Sequence, residues 1–436
     1  MNITNSIVNL VSNVNLKFND QSIHNAKLAL IDYLACGIAG SKSDNYKKLL
    51  NSYKSTNSKE NFTVFNCKNN FGITSAVFIN SYAAHVLDYD DQHGPARGHP
   101  SCILFPALIA VAEKYNKNTE DILKSYIVGL EVMAQLGILI GKKHYENGFH
   151  QTATLGTIAA TLACLHLIES EKETILNGLS IATSQASGLR DQFGGDGKPV
   201  NVAFAALKAI LCFDIAQTNL TFNKNPLDVD IGFLKIHNPS LKTEKLSYPS
   251  ETWQIENPGL YFKPYPCCVA SHFAIEASKS LLDEIDIKKI KAINVIFPIG
   301  GDRPLQYIKP SNGIEGRFSI EYILAIFFTY KNLKTQYFED IKIDNDINSL
   351  MNIISRSYTN EEASPDPTKR ATTVIIEYYD GRIFKNTCNK LTNLNDLNEK
   401  LISCTNNEKK SKQFYDDFIK GTNSDFNLVK EFMVYG

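Results

Sequence analysis

Apolar side chains recur at intervals of three and four along most of the first 260 residues, the period of a helix that buries one face. The spacing predicts helices over Ala26–Ala39, Thr74–Val86, Cys102–Tyr115, Ile122–Ile140, Thr152–Ile168, Thr174–Leu189 and Val200–Ala216. Several are apolar on much of their circumference, which is expected of helices buried between other helices. Phe62–Phe65 reads as a short strand or the end of a loop. The texture changes after Pro258. Ala292–Phe297 is β-rich, and so are the two halves of Thr372–Thr387. Asp380–Gly381 between those halves signals a hairpin, because such a turn needs positive φ. Helical patterns over Phe273–Leu282, Ser319–Tyr330 and Ile347–Ser355 separate these strands, and helical spacing returns over Asp396–Cys404, Lys409–Ile419 and Phe426–Phe432. The expected fold is mainly α: a large all-helical domain of residues 1–258 and 395–436, with an α+β lid domain, 259–394, inserted into it.

Composition narrows the function classes. The chain has 436 residues, too many for one ordinary core. It is 43% hydrophobic and 21% charged, the balance of a soluble globular protein. Net charge is −1 with no basic block, so neither nucleic acid nor an anionic membrane is an expected partner. The longest apolar stretch, Cys102–Ala112, contains Pro106 and is too short to span a bilayer. The first 20 residues lack the basic and apolar segments of a signal peptide. The 9 cysteines are scattered, with no C-x-x-C pair, which points to free thiols in a reducing, cytoplasmic setting.

Chemistry concentrates in His85–Glu113, where Asp88, Asp90, Asp91, His85, His93 and His99 surround a Gly/Pro-containing loop between two apolar helices. Imidazoles beside carboxylates suit proton transfer or a metal. His99 directly precedes Pro100–Ser101, at the start of a helix, where free backbone N–H groups favour anions. A histidine there can act as general acid or base on a bound carboxylate. His150 also stands at a helix start, a position that by itself suits a structural histidine. Ser187–Lys198 (SGLRDQFGGDGK) tempts a phosphate-loop reading, but Gln192 stands where the first glycine belongs and Pro199 where Ser or Thr should follow the lysine. Lys198 fits better as a lone cation for a carboxylate. Lys263 is the only charge in Pro258–Cys268 (PGLYFKPYPCC), at the expected domain junction, where ligands collect.

Taken in order, LDYDD with HPS, NGFHQT, FGGDGKPVNVAFAA and PGLYFKPYP resemble the MmgE/PrpD family, which includes 2-methylcitrate dehydratases, cis-aconitate decarboxylases and an iminodisuccinate epimerase. FSIEYILA (Phe318–Ala325) and the EYYDGR hairpin match weaker features, and the likeness runs from about residue 5 to 430. The resemblance implies a helical domain closed by an α+β lid, a homodimer, and, in the decarboxylase branch, no metal or organic cofactor. It carries active-site roles onto Asp88, His99, His150, Lys198 and Lys263. The chain departs from that branch at Gln92, where threonine is usual; in a loop one residue longer that carries Arg97; and at Cys268, in place of a histidine. Arg97 can hold a carboxylate with both ends of its fork.

The expected function is a cofactor-independent lyase acting on a small di- or tricarboxylate by proton transfer at a carbon next to carboxylate. Lys198 and Lys263, with Gln92, Arg97 and Arg190 as further substrate-binding candidates, would clamp the carboxylates. His99 would move the proton, Asp88 would orient His99, and His150 would serve as a second acid or base. Dehydratase chemistry leads and decarboxylation is its close variant, with epimerisation of a polycarboxylate as the alternative. Two other classes are a metal-dependent hydrolase, with ligands drawn from His85, Asp88, Asp90, Asp91 and His99, and a non-catalytic carboxylate binder.

Overall fold

The computed structural model describes residues 2–53, 59–241, 252–394, 396–421 and 425–436. Position 395, where the C-terminal return to the helical domain was expected to begin, lies outside the described residues. The first lobe is built from α1 (Ile3–Val11), α2 (Asp20–Gly40), α3 (Asp44–Tyr53), α4 (Ile73–His85), α5 (Ser101–Tyr115), α6 (Thr119–Glu146), α7 (Gln151–Leu167), α8 (Lys172–Gln185), α9 (Gly197–Ala216) and α10 (Phe233–His237). Two short strands, β1 (Gln92–His93) and β2 (Leu260–Tyr261), lie at its junction with the second lobe. That lobe holds α11 (His272–Lys279), β3 (Ile290–Ile299), α12 (Gly313–Gly316), α13 (Ile320–Tyr330), α14 (Asn345–Met351), β4 (Ile354–Glu362), β5 (Thr372–Tyr378) and β6 (Ile383–Cys388). The chain then returns through α15 (Leu397–Thr405), α16 (Glu408–Lys420) and α17 (Phe426–Tyr435). The fold is mainly α with a small α+β part.

Two large hydrophobic cores form among the described residues, with a small third cluster of Tyr261, Val269, Phe273 and Leu391. One runs from Ile3 to Phe262 and takes in Leu397, Leu401, Phe414 and Met433, so the C-terminal helices pack back onto the first lobe. Within it Phe105 of α5 and Tyr126 of α6 stack with ring centroids 4.2 Å apart. Fully burying an aromatic of this kind contributes roughly 1.5–3 kcal/mol. The second core gathers side chains between Cys267 and Tyr378. Its sheet has the order β4-β3-β5-β6, with β3 and β4 parallel and the other neighbours antiparallel. The β5–β6 hairpin turns through Gly381 at φ 86°, as the Asp-Gly signal required.

Phe62–Phe65 is a loop, the second of its two expected readings, holding a single bridge from Val64 to Cys67. One expected helix needs correction. The helix expected over Ile347–Ser355 stops at Met351, and the following residues form β4. β4 is an edge strand that is mostly exposed, so ISRSYTNEE carries no apolar alternation to announce it. Helices α1 and α3, of 9 and 10 residues, were missed because each is too short for helical periodicity to stand out. Two helices, Thr119–Glu146 and Gly197–Ala216, are long and apolar enough to cross a bilayer by length and composition, but 83% and 56% of their most apolar windows are buried within the fold.

Candidate active site

Between α4 and α5 the loop of residues 86–100 enters the junction of the two lobes. Asp88 adopts φ 50°, in the left-handed region, which a short polar side chain tolerates better than most. Buried cations hold it there. Lys263 Nζ donates to the Asp88 carbonyl at 2.7 Å. The guanidinium of Arg317, reaching over from the second lobe, donates to the Val86 carbonyl. Lys400 of α15 donates to the carbonyls of Tyr89 at 2.8 Å and Lys263 at 3.2 Å, and to Asp32 at 2.6 Å. A backbone conformation that is costly by itself persists when its surroundings over-determine it in this way. Pairing of Gln92 with Tyr261 and His93 with Leu260 in the β1–β2 ribbon ties this loop to the segment carrying Lys263.

The Asp88 carboxylate receives both lysines. Lys198, on the first turn of α9, pairs with Oδ1, and Lys263 Nζ lies 3.3 Å from the same atom. Burial pushes this carboxyl up, but Lys198, Lys263 and the neighbouring imidazoles more than offset that and hold it well below the ordinary carboxylate range. Phe193 and Phe318 flank the Lys198 ammonium at 5.2 and 5.4 Å, sheltering it from water.

His99 sits 3.7 Å by Nε2 from Asp88 Oδ1 and 3.4 Å by Nδ1 from Asp90 Oδ2. Both carboxylates therefore face the His99 ring, Asp90 being the nearer. Asp88 is already engaged by two ammonium groups. Asp90 also accepts from His85 Nδ1 at 2.9 Å, and the His85 and His99 rings approach to 4.6 Å. His85 and Asp90 thus stand beside His99, two members of the expected proton-transfer or metal cluster to which the sequence reading gave no catalytic role of their own. Burial lowers the His99 pKa to about 4, with the lysine charges adding to the effect and Asp90 opposing it. His150, at the N-terminal boundary of α7, is shifted well down by burial and by Lys198. Both imidazoles are neutral near pH 7, the form that accepts a proton.

Asp88, His99, His150, Lys198, Lys263, Gln92 and Arg97 all line one cleft between the lobes, about 1050 Å³ including its solvent-open mouth. Arg190 does not line it. Its guanidinium stacks 3.9 Å over the Tyr145 ring, and Tyr145 is the residue that faces the cleft. Sequence reading also missed Gln151, Arg303 and Arg370, which line the same cleft. The only cue for Arg303 and Arg370 was charge in loops of the second lobe, which nothing in the pattern connected to residues 200 positions earlier. At the mouth, Lys142 and Glu146 of α6 meet Glu362 at 2.8 Å and Arg303 at 3.5 Å, ion pairs that bridge the two lobes.

Ligand atoms of His85, Asp88, Asp90 and His99 fall within 4.8 Å of one another, close enough by distance to hold a metal ion. The two ammonium groups on Asp88 oppose a divalent cation at that carboxylate, since like charges in a buried site repel strongly. Asp88 and Asp90 balance the two lysines locally, but the cleft as a whole is lined by six basic side chains (Arg97, Lys142, Lys198, Lys263, Arg303 and Arg370) against three acidic ones (Asp88, Glu146 and Glu362), an excess that suits a bound anion.

The chain matches the MmgE/PrpD N-terminal domain over residues 5–244 and the MmgE/PrpD C-terminal domain over residues 265–392. It is similar to the cis-aconitate decarboxylase of Homo sapiens, 24% identical over 342 residues that cover 74% of this chain and 70% of the human one. It is similar as well to the cis-aconitate decarboxylase of Aspergillus terreus (strain NIH 2624 / FGSC A1156), 26% identical over 396 residues that cover 84% and 80% of the two chains.

Proposed function

The chain belongs to the MmgE/PrpD family, and from that premise we propose that it is a cofactor-independent lyase that dehydrates a small di- or tricarboxylate bearing a hydroxyl. The observation that carries this reading is the convergence of Lys198 and Lys263 on Asp88 beside the neutral imidazole of His99. A carbon next to carboxylate gives up its proton only if the developing charge is met by fixed cations. The two ammonium groups are suited to that. His99 takes the proton, the C–H electrons flow toward the adjacent carboxylate, and the C–O bond to the hydroxyl then breaks. The proton on His99 passes to the departing oxygen, which leaves as water. His150 positions the hydroxyl, and Asp90 steadies His99 once it is charged.

Decarboxylation is the second reading, favoured by the names of the relatives. It needs a proton donor after carbon dioxide has left, and neutral imidazoles fit that step less well than proton removal. An NMR screen of 2-methylcitrate, citrate, cis-aconitate and iminodisuccinate in deuterated buffer tests the proposal. Loss of water from a hydroxy acid supports it. Carbon dioxide from cis-aconitate would move the assignment to the second reading, and deuterium exchange with inversion alone would make the protein an epimerase. No turnover and no exchange with any of the four would sink the enzymatic proposal.

A cytoplasmic setting fits the 9 cysteines, all free. Helix α9 leaves Phe204, Leu211 and Ile215 exposed along one side, an apolar stripe that supports pairing with a second copy. Light scattering in solution reads that assembly directly, and a monomer mass would refute it.

A further inference from the structure

Arg370 enters the cleft from the segment between β4 and β5 and has no acidic partner among the described residues. Its Nη1 donates to the Gly301 carbonyl at 2.7 Å, while its Nε is shut off from solvent without any hydrogen-bond partner. The nearby carboxylate of Asp366 adds negative field at Arg370 but makes no ion pair with it; its Oδ1 accepts from the Thr368 N–H at 2.9 Å and the Thr368 hydroxyl at 2.7 Å. Gln151, which lines the same cleft, opens α7 at 1% exposure, and both its Nε2 and its Oε1 lack partners. Buried polar groups are nearly always paired, so unpaired ones lining a cleft mark where a ligand supplies the missing atoms. A guanidinium with free N–H groups matches a carboxylate in geometry and charge. Cys268, Arg370, Lys198 and Lys263 line the same cleft, so both positive groups border one space.

We propose that Arg370, assisted by the Gln151 amide, is a second carboxylate subsite, and that the substrate therefore carries carboxylates at two separated positions, one for the lysine pair and one for Arg370. This rests on the polycarboxylate reading above and deepens it: a monocarboxylate fills one end only. Arg370 is then a specificity-determining residue, and neither the lysines nor His99 can replace it.

The test compares propane-1,2,3-tricarboxylate with its one-armed counterpart, butanoate, by ligand-observed NMR titration of the native chain, Arg370→Gln, Arg370→Lys and Gln151→Leu. Arg370→Gln is expected to weaken the tricarboxylate tenfold or more and butanoate less than twofold. Arg370→Lys, which keeps the charge without the fork, should fall between, and Gln151→Leu should weaken the tricarboxylate severalfold. Unchanged tricarboxylate affinity in Arg370→Gln overturns the subsite and leaves the polycarboxylate reading intact. Equal losses for both probes overturn it too, because they report a structural role. If the native chain binds neither probe, the polycarboxylate reading fails and the subsite fails with it. Should Arg370→Gln not fold, Arg370→Lys and Gln151→Leu decide by the same comparison.

Discussion

His99 is enclosed by groups that pull its proton affinity in opposite directions. Burial and two lysine charges win over Asp90 and bring its pKa to about 4. A general base must be unprotonated in the free enzyme, and kcat/KM reports the free enzyme. The acid limb of kcat/KM is therefore expected near pH 4, with a plateau by pH 6, whereas an ordinary histidine would give a limb near 6.5. His99→Gln should lower turnover by a factor on the order of 100 or more and remove that limb. Measuring both profiles on the substrate found in the screen checks this. A limb near 6.5 that survives the substitution would assign the base to another residue. Asp90 is tested by the same profile: Asp90→Asn removes the nearest charge that favours the imidazolium, so the limb should move further down.

At the scale of elements, α6 shows how a single backbone position builds part of the site. Gly141 interrupts the helix at φ 66° and ψ −166°, a region open in practice only to glycine. The chain changes direction there, and the turn that follows brings Lys142, Tyr145 and Glu146 to the cleft. A Cβ at Gly141 would meet only Asn238 Nδ2, at 3.9 Å, so the obstacle to substitution is torsional rather than steric. Gly141→Ala is expected to cost about 1–3 kcal/mol in urea denaturation and to raise KM more than it lowers kcat. A loss of a few tenths of a kcal/mol with unchanged KM would show that the break does not direct the rim. The sequence announced most helices, because apolar periodicity records which face is buried. It also announced the β5–β6 hairpin through Asp380–Gly381. It ended the α6 pattern at Ile140, next to the Gly141 break, but did not announce β4, which buries almost nothing, or the helical turn beyond Gly141, because local pattern does not show where the chain goes after a glycine of positive φ. The same limit governed the site. Residues near a motif, such as Asp88 and His99, were legible. Arg370 and Lys400 were not, because their roles depend on tertiary closure across some 200 to 300 positions.

For the whole molecule, the important consequence is acid sensitivity set by buried neutral histidines. His93 and His99 have pKa values of about 4, and His144 and His272 of about 3, each lowered chiefly by burial. Two of these rings are wired as neutral tautomers. His272 Nε2–H donates to the Cys267 carbonyl at 3.1 Å while Nδ1 accepts from the Tyr261 hydroxyl at 2.9 Å. His93 Nε2–H donates to the Gln254 carbonyl at 3.2 Å while Nδ1 accepts from the Ala96 N–H at 3.3 Å. A second proton on either ring would break an existing hydrogen bond. In the unfolded chain these histidines titrate near 6.5. Between about pH 6.5 and 4 the unfolded state thus binds more protons than the folded one, so stability falls as the pH drops through that window. Each histidine contributes up to about 1.4 kcal/mol per pH unit there. Asp32 and Asp91 act the other way, since burial raises their carboxyls and acid relieves that strain. Glu113 and Glu131 are raised by burial as well, but eight histidines are lowered against these four carboxyls, which leaves a net loss. The urea midpoint is therefore expected to fall steadily from pH 7 to pH 4.5. His272→Gln offers a control at constant ring-sized volume, because an amide can keep one donor and one acceptor but cannot gain a proton; its midpoint should fall less steeply. A midpoint that stays flat or rises toward pH 4.5 in the native chain would mean that these rings are already charged in the fold, and the neutral-base chemistry assigned to His99 would lose its electrostatic basis along with the stability argument.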